Sequence, residues 1–78
     1  MQKIRHNATL GKNIRSFRRA AKLTQEQVIA KMQLENCAIS RSTYAKIEAG
    51  LANIRARDLV ILSKILKTDI GDFFQNIF

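Results

Sequence analysis

Residues 39–50, ISRSTYAKIEAG, constrain this chain more than any other stretch, because they define a helix with a start, two unlike faces and a stop. Ser40 is a strong N-cap residue, its side-chain oxygen suited to an open backbone N–H. Ile39 before the cap and Tyr44 in the first turns form a hydrophobic staple that fixes how the chain enters. Helical spacing puts Tyr44 and Ile47 on an apolar inner side and Arg41, Ser42, Ala45 and Lys46 on a small, polar, cationic outer side. Gly50 supplies the stop. The spacing of Tyr44 and Ile47 makes Tyr44 a core residue with its hydroxyl near the rim.

The rest of the chain reads as helices arranged around this one. Leu10, Ile14, Phe17 and Ala21 follow one helical face. Thr24, with Gln27 three residues on, is a capping box for a second helix whose inner stripe is Val28, Ile29 and Met32. Leu59, Leu62 and Leu66 give the face of a fourth helix over 56–67. Asp69 caps a short fifth helix in which Ile70, Phe73 and Phe74 turn inward. With no Pro and only 3 Gly in 78 residues, an all-α domain is favoured over strands and turns. The expected architecture is therefore a compact five-helix domain over 9–78, preceded by a basic arm over 1–8. No repeat or linker divides it.

Charge narrows the function. Residues 1–31 hold Lys3, Arg5, Lys12, Arg15, Arg18, Arg19, Lys22 and Lys31 against one acid, Glu26, in a chain of net charge +8. Such a surface attracts polyanions and speeds encounter with them. A short helix with a small cationic outer face, on a protein of this charge, has the shape of an element that enters a DNA major groove. Arg41 sits in the first turn, where the helix dipole disfavours a cation, and its best-fitting partner is the O6/N7 edge of guanine. Lys46 reaches a guanine edge or a phosphate, Ser42 bonds either, and Ala45 touches a thymine methyl. Asn53, Arg55 and Arg57, around the loop before the fourth helix, are candidate phosphate contacts that set register without reading sequence. Lys12, Arg15 and Arg19 are weaker candidates, equally explained as a solvated face.

Other classes are disfavoured. No pair of groups suits acid–base or nucleophilic chemistry, and His6 has no catalytic partner. One His and one Cys cannot build a structural zinc site, so neither metal nor cofactor is expected. Cys37 excludes an internal disulfide and reads as a small apolar filler. No apolar run approaches the ~20 residues that span a bilayer. A targeting peptide over 1–22 is disfavoured because its apolar residues are needed for the core.

Four segments, IRSFRRAAKLTQEQV, ISRSTYAKIEAG, LVILSKIL and TDIGDFF, in this order and spacing, resemble the phage repressor/Cro-type, or Xre-like, helix-turn-helix family over residues 10–74. The resemblance implies a cytoplasmic, bacterial or phage-encoded regulator whose third helix reads DNA, usually as a dimer. It implies that Gln25, opening the second helix, contacts the DNA backbone, and that Arg18 and Glu48 form a partly buried pair holding the reading helix. Two departures stand out. The stretch from Met32 to Ile39 exceeds the usual turn by about five residues, which lengthens the second helix or bulges the loop. Arg55, a poor cap, occupies the cap position of the fourth helix, where a cation suggests a phosphate contact.

The fourth helix carries more apolar residues than its inner face needs. Ile61 and Ile65, with Ile77 and Phe78 of the tail, are assigned to an isologous dimer contact. The leading expectation is a sequence-specific double-stranded DNA-binding regulator, a repressor acting as a homodimer on a near-palindromic operator. The alternative is the antitoxin of a toxin–antitoxin pair, whose apolar fourth-helix and C-terminal surface binds a protein toxin. A basic amphipathic membrane binder is a third, weaker reading.

Overall fold

Three of the four helices begin on a side chain that closes the backbone. The computed structural model describes residues 3–4 and 7–77. Helix α1 (Ala8–Ala20) starts at Asn7, whose Oδ1 accepts from the N–H groups of Thr9 and Leu10 at 2.8 and 3.1 Å. Helix α2 (Gln25–Leu34) starts at the expected capping box: Thr24 Oγ1 accepts from the Gln27 N–H, and Gln27 Oε1 accepts from the Thr24 N–H. Helix α3 (Arg41–Glu48) starts at Ser40, whose Oγ accepts from the Thr43 N–H at 3.1 Å. Helix α4 (Ala56–Ile65) starts at Arg55, which makes no side-chain cap bond.

All four helices end alike. Lys22, Asn36, Gly50 and Lys67 each take a left-handed φ of 54–76°. One residue further on, the N–H groups of Leu23, Cys37, Leu51 and Thr68 donate to the carbonyls of Arg18, Met32, Lys46 and Ser63. These are Schellman stops. At the α2–α3 connection this settles the long stretch both ways: α2 runs on to Leu34, then turns through Glu35 and Asn36 into an irregular segment up to Ser40. Leu34, on the added turn, is 83% exposed.

Helix α1 packs on α3 and on the C-terminal turn, while α2 packs on α3 and α4. The core is built from Leu10, Ile14, Val28, Met32, Tyr44, Ile47, Leu59, Leu62, Leu66 and Phe73. The inner stripe of α1 is Leu10, Ile14 and Arg18. Ala21, expected to continue it, is the exposed C-cap.

Four expectations are corrected. The fifth element is not an α-helix but a 3-10 helix, Ile70–Phe74, so the described residues form four α-helices and one tighter turn. Asp69 precedes it without a side-chain cap bond, and Ile70 points outward. Phe73 alone is fully buried there, edge-on to Phe17 with centroids 5.7 Å apart; Asn13 Nδ2 donates to the Phe73 and Gln75 carbonyls and ties this turn to α1. The 1–8 stretch is not wholly a loose arm: Lys3–Ile4 (β1) pairs antiparallel with Ile54–Arg55 (β2), and Ala8 is already helical. His6 lies outside the described residues.

The fourth correction concerns the apolar surplus. Ile61 is 7% exposed within a single chain, and Ile65 and Ile77 pack half-buried against the same core. Helix α4 meets both α2 and the C-terminal turn, so its wide apolar stripe is needed inside the monomer. Phe78 lies outside the described residues.

Candidate nucleic-acid interface

The outward face of α3 is held from behind by a buried ion pair. Arg18 Nε and Nη2 donate to the two carboxylate oxygens of Glu48 at 2.7 and 3.1 Å, a bidentate fork that links α1 to the end of α3. Arg18 Nη1 also donates to the Leu23 carbonyl at 2.9 Å. Gln25 Nε2 donates to Glu48 Oε1 at 3.1 Å, so α2 joins the same knot. Burial pushes the Glu48 carboxyl up, but its contacts with Arg18, Tyr44 and Gln25 outweigh this and hold it below its ordinary value. The bond to Glu48 raises Arg18, so both stay charged.

Gln25, which the resemblance assigns to the DNA backbone, turns its side-chain amide toward Glu48 here. Tyr44 is also deeper than expected. It is fully buried, not at the rim, and its hydroxyl has no partner of hydrogen-bond geometry. Burial raises its pKa far above the ordinary phenol value.

In front of the knot, Arg41, Ser42 and Lys46 are exposed and Ala45 is half-buried. The four share one face of α3. Arg41 is not free: its Nη1 donates to Glu26 Oε1 at 2.7 Å, with both side chains about two-thirds exposed. Beside Ala45 and Ala49 lies a notch lined also by Arg15, Arg18, Gln25 and Glu48, and Arg15 continues into an exposed α1 stripe with Lys12, Ser16 and Arg19. The basic flank of α1 therefore adjoins the α3 face.

Residues 14–73 match the helix-turn-helix family. The chain belongs to that family. It is thus a DNA-binding regulator of transcription rather than an enzyme, and its Xre-like pattern stands. Among solved structures it is similar to the restriction-modification controller protein C.AhdI from Aeromonas hydrophila. The likeness has a TM-score of 0.74 at 22% identity, over 86% of this chain and 94% of that one. No curated protein matches the sequence. No helix among the described residues is long and apolar enough to cross a membrane.

In this helix-turn-helix chain, Asn53 of the loop, Arg55 of β2 and Arg57 in the first turn of α4 are all exposed. Arg55 lies 3.8 Å from Asp58, a loose pair one turn along. Asp58 also accepts from the Cys37 thiol at 3.2 Å. Arg57 lies apart from the other two, lining an open groove of about 480 Å³ with Leu34, Asn36, Val60 and Lys64. Three residues that position the site went unread in the sequence: Gly11, Asn7 and Asn13. Asn7 lies three residues before Leu10, as an N-cap should, and was legible on that ground. Gly11 and Asn13 matter only through tertiary contacts.

Proposed function

We propose that the chain reads a near-palindromic operator as a homodimer, with α3 in the major groove and half-sites about one helical turn, ~34 Å, apart. The observation that carries this reading is the exposed Arg41–Ser42–Ala45–Lys46 face, fixed from behind by the Arg18–Glu48 fork. Arg41 and Lys46 take guanine edges, while Ser42 and Ala45 allow close approach and contact a neighbouring base. Asn53 and Arg55 hold the phosphate backbone, with Arg57 at the edge of that footprint. At Gln25 a phosphate meets the helix end, where backbone N–H groups also suit it. The regulator works in the cytoplasm and represses by occluding a promoter.

Selection of bound sequences from a random duplex pool at physiological salt tests this. A two-fold-related motif is expected, lost in Arg41→Ala and Lys46→Ala. Enrichment of no motif, with binding that only weakens with salt, reduces the interaction to charge. Arg41→Ala is expected to relax one base pair at a loss of roughly 1–3 kcal/mol, and Arg55→Ala to weaken all sequences alike.

A second reading, an antitoxin whose α4 surface covers a protein toxin, is favoured by one feature: Leu34 and Val60 are exposed together on the groove between the end of α2 and α4. A chain that is soluble only when coexpressed with a neighbouring gene product supports it; a chain that is monodisperse alone argues against it.

A further inference from the structure

We propose that Glu26 is a positioning residue for DNA reading, holding the Arg41 guanidinium where it meets a guanine edge. The proposal rests on the operator-reading function above and adds to it the residue that sets its sharpest contact.

Glu26 is the only acid in residues 1–31, amid eight cations, and it sits directly on Arg41. It lies in the first turn of α2 and Arg41 in the first turn of α3, so the bond ties together the starting ends of the two helices. Each charge answers a problem of the other. Arg41 opposes the positive end of its own helix. A lone carboxylate on the DNA face would repel phosphate.

Stability does not explain the pair. Both side chains are about two-thirds exposed, and exposed ion pairs add little to folding. Orientation does explain it. Within the described residues Arg41 engages only through Nη1, which leaves Nε and Nη2 for a bidentate contact. An arginine with four side-chain torsions loses affinity and selectivity when it must be ordered on binding, and Glu26 does that ordering in advance. A carboxylate behind the guanidinium also favours a partner edge made of acceptors, as guanine O6 and N7 are, over the amino donor of cytosine or adenine.

The test has two arms on the full chain. In the first, side-chain NMR of the free protein follows the Arg41 Nε–H group, with no DNA present. Arg41 is expected to be restricted in the wild type and mobile in Glu26→Ala; equal mobility in both overturns the proposal. In the second, binding is measured to the selected operator and to duplexes changed at the base pair that Arg41→Ala relaxes. Glu26→Ala is expected to lower the preference for that base pair at least about fivefold, the lower end of what a bidentate contact contributes, leaving other positions and the unfolding midpoint unchanged. In an Arg41→Ala background it should have no further effect on that base pair. An unchanged preference, a loss spread evenly over all positions, or an added effect in the Arg41→Ala background overturns it. A wild-type chain with no base preference, yet with a restricted Arg41, sinks the operator reading and the purpose of the latch together while leaving the latch itself standing.

Discussion

Gly11 of α1 lies against the Ile47 and Glu48 carbonyls at the end of α3, so closely that a Cβ would overlap both oxygens. This is where the reading helix is pressed onto the scaffold, next to the Arg18–Glu48 fork. Backbone carbonyls cannot swing aside as a side-chain tip would. Gly11→Ala should therefore destabilise by about 1–3 kcal/mol, the usual range for overpacking, despite the ~1 kcal/mol by which Ala exceeds Gly in a helix interior. Gly71, with open space around it, is the control: Gly71→Ala should be close to neutral. Urea unfolding of the two variants decides this.

The Arg18–Glu48 fork makes stability depend on acid. The folded Glu48 carboxyl titrates below its unfolded value, near ~4.3 for a free glutamate. Its contribution is fully present above that unfolded value and is lost as pH falls through the lower, folded one. Glu48→Gln should flatten this acid limb, the loss of stability as pH falls below the unfolded glutamate value. At neutral pH the same change should cost roughly 3–5 kcal/mol, because the Arg18 charge stays buried without its counterion. Replacing both partners with apolar residues should cost less than either single change. Urea titrations across pH measure all of these.

Tyr44 contributes mainly through its ring. Its hydroxyl is buried without a partner of hydrogen-bond geometry, so only its proximity to the Glu48 carboxylate offsets its desolvation. Tyr44→Phe should thus leave stability within about 1 kcal/mol of the parent or raise it. A loss above about 2 kcal/mol would show that the hydroxyl is paired in solution.

Lys22 and Lys67 hold left-handed φ values of 60° and 54° at Schellman stops where glycine is free of strain. The left-handed conformation costs a residue with a Cβ about 1–2 kcal/mol, and glycine's larger unfolded-state freedom returns part of that. Lys22→Gly and Lys67→Gly should each stabilise by up to about 1 kcal/mol. Gly50→Ala should do the opposite, since its φ is 76° and its Cβ would meet the Ala8 backbone. Thermal unfolding midpoints give the order.

What the sequence disclosed follows from how local each signal is. Ser40 and Thr24 announced α3 and α2 because a cap and its partner lie three residues apart. The Leu59–Leu62–Leu66 stripe announced α4 for the same reason. The helix ends at Lys22, Asn36 and Lys67 were obscure because the stop is a backbone conformation that only Gly50 advertises by residue type. Ile61 was misplaced because a stripe buried on two sides looks, in one dimension, like a core face plus a spare face; only the packing of α4 against both α2 and the C-terminal turn removes the surplus. At the interface, Arg41 and Lys46 were legible from periodicity. Gln25 and Glu26 were not, since their partners lie 23 and 15 residues away.

Cys37 reports on the long α2–α3 connection. Its thiol donates to Asp58 across to α4, and burial, reinforced by that carboxylate, pushes it up to about 11. The thiolate is the reactive form, so at pH 8 the native thiol should alkylate far more slowly than a free cysteine, at a rate set by opening of the 35–40 segment. Asp58→Asn removes the charge that adds to the effect of burial on the thiol while also loosening Arg55. It should speed alkylation and, on the proposed phosphate role of Arg55, alter DNA affinity uniformly across sequences. Alkylation at the free-cysteine rate in the native chain would mean that the connection is open and that Cys37 does not join it to α4.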